Sequence, residues 1–179
     1  IVIIIGFYSY QIYQDGYKKS ISDKYNSAVI NYNIEDKDKI IELMKEVIKD
    51  KDSTYSPLAL YFLIDNDLIQ NQREVNQLFD IIIKKTSLDG EIKNLIIYKK
   101  ALFNADSINE NELLNVLKPV INSDSIWKSH SLYLIAEYFF AKNEKQKAKD
   151  FFKKILIDQE SNKDIIYQAQ QRLRSLLSE

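Results

Sequence analysis

A tyrosine followed three residues later by a small or aliphatic residue recurs along this chain: Tyr25 and Ala28, Tyr61 and Ile64, Tyr98 and Ala101, Tyr133 and Ala136. Successive pairs are 36, 37 and 35 residues apart. Self-similarity at a fixed period of roughly 20–50 residues marks an array of identical supersecondary units, each too small to bury its apolar face alone. That recurrence constrains the fold more than any other feature of the sequence.

The units read as helical. Apolar residues recur at helical spacing, as in the stripe Ile40, Ile41, Met44, Val47 and Ile48, with Asp36 placed as its N-cap. Polar breaks fall at Ile34–Asp36, Asp50–Ser53, Ile69–Gln72, Thr86–Gly90, Asp106–Asn109, Asn122–Ser125, Asn143–Glu144 and Asp158–Asn162. They leave short helices joined by short turns, an antiparallel hairpin pattern. No stretch alternates apolar and polar residues cleanly enough to read as a strand. The Glu/Lys/Asp alternation from Glu35 to Asp52 reads as a solvated helix face.

The last unit is the clearest. Leu132 to Phe139, then Ala148, Phe152 and Ile155, resembles the tetratricopeptide repeat, in which small residues let two helices approach and aromatic rings fill the gap. The other units are degenerate. Asp67 stands where Phe139 does, and Asn76 falls near the Ala148 position, with Val75 and Phe79 fitting better after a one-residue slip. Lys100 occupies another place that the repeat usually fills with an apolar or small residue, and Pro119 is expected to kink or end its helix early. Ile165, Ile166, Ala169, Leu173, Leu176 and Leu177 form a final amphipathic helix, about 162–177, suited to capping the last apolar face. The expected fold is all-α: a tetratricopeptide-like helical-hairpin solenoid over residues 22–179, preceded by a stem over residues 1–21.

That stem opens with Ile1-Val2-Ile3-Ile4-Ile5-Gly6-Phe7 and no initiator Met, which reads as a piece of a longer protein. Seven apolar residues are too few for a bilayer, which needs about 20, but they fit the end of a span. Tyr8, Tyr10, Tyr13 and Tyr17 follow, then Lys18 and Lys19. Tyrosine favours the membrane–water interface, where an apolar ring and a wet hydroxyl are both satisfied. The expectation is a transmembrane end; a buried first helix and the tail of a cleaved signal sequence are the alternatives.

Composition narrows the chemistry. Three Gly and two Pro are too few for a turn-dense sandwich or barrel, or for a phosphate-cradling loop. Without Cys there is no disulfide, thiolate zinc site or cysteine nucleophile. A net charge of −1 with both signs scattered argues against nucleic acid as partner. His130, the single histidine, stands beside Trp127 and is read as solvent-facing or helix-capping, since no motif places a Ser or Asp partner for it. Trp127 is read as a packing anchor. Asp65-Asn66-Asp67 resembles the opening of a calcium loop but lacks its glycine and its bidentate glutamate. No catalytic, cofactor or metal residue is expected.

Taken together, anchor, stem and repeats resemble the bacterial ancillary SecYEG translocon subunit family (YfgM-like). The resemblance runs over nearly the whole chain: Gly6-Phe7-Tyr8-Ser9-Tyr10, Lys24-Tyr25-Asn26-Ser27-Ala28-Val29, Ser53 through Ala59, and Trp127 through Ala148. These are architectural motifs, not a chemical signature. The resemblance implies a single-pass bacterial inner-membrane protein with its repeat domain in the periplasm. Its partners would be translocon subunits, periplasmic chaperones or exported chains. Periplasmic cell-envelope or division coordinators of the same repeat class are a related possibility.

In such repeats the position three before the small residue points toward the concave surface. A column of Tyr25, Tyr61, Tyr98 and Tyr133, flanked by Leu58, Asp65, Leu95, Leu102 and Glu137, is therefore the candidate protein-binding groove, offering rigid amphipathic contact area. The competing expectation is that these rings pack between adjacent hairpins. The functional expectation is a non-enzymatic, membrane-anchored binding scaffold. A self-assembling adaptor (a homo-oligomer) is an alternative, and an enzyme regulated by the array a third.

Overall fold

A computed structural model describes residues 2–33 and 36–178. Ile1, the Ile34–Glu35 part of the first break, Glu179 and the side chains of Val2, Leu177 and Ser178 lie outside the described residues. The described residues form nine helices and no strand: α1 (Val2–Asn31), α2 (Lys37–Lys49), α3 (Tyr55–Asp65), α4 (Gln72–Lys85), α5 (Gly90–Asn104), α6 (Glu110–Ile121), α7 (Lys128–Ala141), α8 (Lys145–Ile157) and α9 (Lys163–Ser178). The polar breaks expected from the sequence fall at the junctions of these helices, except that Gln72 and Gly90, the last residues of their breaks, already belong to α4 and α5.

Local chemistry explains the starts. The Asp36 carboxylate accepts from the Asp38 amide, as the sequence indicates, and Asp89 does the same for Glu91. Asn71 caps α4 by accepting from the Glu74 amide. At α6, Asn109 and Glu112 satisfy each other's backbone amides in a capping box. Pro57 sits in the first turn of α3, where its missing amide costs no helical hydrogen bond. Pro119 lies in the last turn of α6, which continues two residues past it to Ile121.

The ends were less legible. Lys51, Asp67 and Asn143 take positive φ values of 57°, 52° and 61°. Asp67 and Asn143 close their helices as glycine commonly does. The amides of Leu68 and Glu144 reach back to the carbonyls of Leu63 and Phe139 at 3.0 and 2.9 Å. Asp67 departs from the repeat pattern because α3 has already ended at Asp65, so the residue belongs to a turn and not to a core face.

Tertiary contacts divide the chain into a unit ending at Leu88 and a unit beginning at Asp89. In the first unit α1 packs on α2 and α3, α2 on α3 and α4, and α3 on α4. Ile21, Ala28, Ile40, Met44, Val47, Ile48, Leu60, Leu63, Val75, Phe79 and Ile82 are buried, whereas Ile41 of the expected stripe and Ile64 of the repeat are only half-buried. Burial of Val75 and Phe79, with Asn76 half-buried, agrees with the one-residue slip. Helix α1 runs unbroken through the 21/22 position at which the sequence reading divides stem from repeats.

In the second unit α5 packs on α6 and α7, α6 on α7, α7 on α8 and α9, and α8 on α9. Its core joins Ala101, Leu113, Leu117, Leu132, Ile135, Ala136, Phe139, Ala148, Phe152 and Ile155 to Ile165, Ala169, Leu173 and Leu176 of α9. Each fully buried large side chain here contributes roughly 1.5–3 kcal/mol. The zero exposure of Ala101 and Ala136 fits the role expected of them, letting neighbouring helices close. Within each unit the arrangement is one of helical hairpins packed side by side.

Candidate functional site

Three of the four tyrosines of the column make ring contacts with other elements. Tyr25 on α1 packs against Tyr55 on α3, centroids 5.7 Å apart. On α5, Tyr98 stacks on Trp127 at 5.8 Å and 21°, and meets His130 edge-on at 6.0 Å. Tyr133 on α7 meets Phe152 of α8 edge-on at 5.5 Å. Tyr61 is half-buried with its hydroxyl enclosed, and Asp65 stands exposed one turn further on. Burial raises all four phenol pKa values above the ordinary one, Tyr61 most, with the Asp65 carboxylate adding to its shift. The rings thus spend part of their surface on neighbouring helices.

His130 is neither solvent-facing nor a cap, as the sequence reading expects. It is half-buried in the first turn of α7, 5.2 Å from the Trp127 ring, and no side chain caps that helix. Its Nδ1 is buried and meets no hydrogen-bond partner. The expectation that Trp127 is a packing anchor fits its place on Tyr98.

The flanking candidates separate. Leu58 is 40% exposed on α3 in the first unit, and Leu95, half-buried on α5, is not part of the lining of the cleft that α5 and α7 enclose. Leu102 and Glu137 do: the cleft, about 380 Å³, has Leu102, Ala105, Leu134 and Ala141 as its apolar lining and Asp106, Glu137 and Lys142 at its polar positions. Leu102 is 45% exposed there. Glu137 is fixed by a two-pronged ion pair, Arg172 Nε to Oε1 at 2.8 Å and Nη2 to Oε2 at 2.9 Å, while the guanidinium lies 5.1 Å over the Phe140 ring. Tyr138 donates to the Ile108 carbonyl at 3.1 Å, which fixes the cleft wall.

Sequence reasoning missed Arg172, and the signal for it was there. Ion pairs and hydrogen bonds between hairpins join residues about one repeat apart: Glu91 accepts from Ser125 (34 residues on), Glu110 from Lys147 (37) and Glu137 from Arg172 (35). Complementary polar side chains at the period of the tyrosines mark hairpin-to-hairpin contacts.

Of the four membrane-interface candidates, Tyr8, Tyr10 and Tyr13 stand apart from these contacts. Every described side chain from Ile3 to Ser20 is exposed, with Tyr8, Tyr10, Tyr13 and Tyr17 all open to solvent and Ile3 87% so. Only at its foot is this segment tied down: Asp50 accepts from the Tyr17 hydroxyl at 3.4 Å and from Lys24 Nζ at 3.2 Å, and Lys24 also lies 3.7 Å from Glu46. No helix of the described residues is long and apolar enough to cross a membrane. Among them no three His, Asp or Glu side chains converge as a metal site would require.

Fold and site together define an all-α helical-hairpin protein with a repeat-like architecture. Comparison with family models, curated proteins and solved structures finds no match to this chain.

Proposed function

We propose that this chain is a non-enzymatic, membrane-anchored protein-binding scaffold of the tetratricopeptide-like solenoid class. In this reading it is an ancillary subunit of the Sec export translocon in the bacterial inner membrane, its repeats in the periplasm. The observation that supports anchoring is the N-terminal part of α1. Its exposed Ile, Phe and Tyr side chains are distributed around the whole helix and not along one stripe. A helix apolar on all sides suits a surrounding apolar solvent better than a single partner surface. The α5/α7 cleft, with an apolar lining and charged positions at its edge, supports the binding half of the reading. The link to the translocon rests on the sequence resemblance.

The test is photocrosslinking in cells from position 102, which lies in the cleft and is exposed. Adducts with translocon subunits, periplasmic chaperones or exported chains are expected. Adducts confined to cytosolic proteins defeat the placement. A second reading, a self-assembling adaptor, draws on the same exposed helix, which another copy could cover. It predicts a particle mass that rises with concentration in light scattering.

A further inference from the structure

At the foot of the exposed part of α1, a cavity of about 300 Å³ lies between α1 and the turn joining α2 to α3, with Asp15, Lys18, Asp50, Lys51, Asp52 and Ser53 among its lining. Two of its three carboxylates are already committed. Asp50 holds Tyr17 and Lys24, and Asp52 Oδ1 accepts from the amides of Thr54 and Tyr55 at 2.8 Å each, capping α3. The Lys18 and Lys51 ammonium groups and the Asp15 carboxylate make no ion pair or side-chain hydrogen bond among the described residues. The cavity therefore presents two uncommitted ammonium groups and one uncommitted carboxylate. A small zwitterion with a phosphate and a primary amine complements that set.

Its level along α1 selects the source of such a group. At about 1.5 Å rise per residue, Tyr8 and Tyr17 lie roughly 14 Å apart along the helix. The cavity lining begins at Gln14, inside the exposed tyrosine stretch. Tyrosines of this kind reside at headgroup level. We infer that this cavity holds the headgroup of an ethanolamine phospholipid, with Lys18 and Lys51 on the phosphate diester and Asp15 on the ammonium. The inference rests on the anchored reading above and adds to it a lipid preference and a contact that seats the α2–α3 turn at the bilayer surface.

The chain has no Cys, so Ser53→Cys accepts one environment-sensitive dye at the cavity. The labelled full chain is added to vesicles of phosphatidylcholine alone or mixed with phosphatidylethanolamine. Flotation with both is expected, with a blue shift and iodide protection of the dye. Partitioning should be roughly tenfold stronger where the primary amine is present, the scale of one charge-assisted hydrogen bond, because choline cannot donate to Asp15. Asp15→Asn should erase that preference. Lys18→Gln with Lys51→Asn, the asparagine chosen because it tolerates the left-handed backbone at 51, should erase both preference and dye shift while flotation persists. All three positions are exposed, so helical circular dichroism should be unchanged. A dye that stays as water-exposed on vesicles as in buffer, on protein that floats, overturns the headgroup site and leaves the anchor standing. Failure to float on either vesicle defeats the anchored reading and the site with it. An equal shift from soluble phosphorylethanolamine or inorganic phosphate without vesicles overturns the lipid source.

Discussion

Replacing Tyr98 with Ser removes the ring that stacks on Trp127 and meets His130. A fully buried aromatic side chain covers about 150–250 Å², so the half-buried Tyr98 covers roughly 100 Å². At about 25 cal/mol per Å² that area contributes about 2.5 kcal/mol. Ring-on-ring geometry adds roughly 0.5–1.5 kcal/mol, and residual structure in the unfolded chain trims the sum. The expected loss is about 2–3 kcal/mol, which for a cooperative unit of this size lowers Tm by more than about 10 °C. Trp127 is the sole tryptophan, so its emission follows this one unit in a urea titration. Tyr98→Phe, which keeps the ring, should stay within about 0.5 kcal/mol of the parent. An unchanged midpoint for Tyr98→Ser refutes the packing argument. If crosslinking from position 102 is lost in that same stable variant, Tyr98 belongs to the binding surface after all.

Two further predictions concern pH. Burial raises the pKa values of Tyr25, Tyr61, Tyr98 and Tyr133, so the folded state holds these protons more tightly than the unfolded chain. Their contribution is complete below the unfolded value of about 10 and is lost as pH rises through the higher folded values. Phenolate absorbance should show a late phase that coincides with loss of helicity, and a titration completed near pH 10 on folded protein contradicts this. At the other end, the Lys128 ammonium 2.9 Å away holds the Asp158 carboxyl below its ordinary pKa. That contribution is present above about pH 4 and disappears as pH falls through the lower folded value. Asp158→Asn should therefore cost up to about 1 kcal/mol at neutral pH and less at pH 3 in matched urea titrations. An equal cost at both values removes the ion pair from the account.

Much of the fold was legible because its causes are local. Apolar spacing and polar breaks are read within a few turns of helix, and caps such as Asp36 act on amides two residues away. The left-handed residues were not legible, since Lys51 and Asp67 lack the glycine or asparagine that usually marks them. Asn104, buried on α5 and donating to the Lys100 carbonyl at 2.7 Å, passed unremarked because a mid-chain asparagine usually signals a turn.

The candidate groove divides along the same line. Periodicity identified Tyr25, Tyr61, Tyr98 and Tyr133 as one recurring position, of which Tyr25 and Tyr98 meet rings of the following hairpin and Tyr133 a ring of its own hairpin. By itself the sequence determined that the chain is helical, where the polar breaks between helices fall and which positions are equivalent, because those properties follow from local spacing and its recurrence. Only the tertiary structure decided that Tyr98 lies on Trp127, that Glu137 is held by Arg172, that Leu102 lines a cleft and Leu95 does not, and that Lys18 and Lys51 share a cavity. Each of those outcomes joins residues roughly a repeat apart, and their meeting depends on how one helix is rotated against the next.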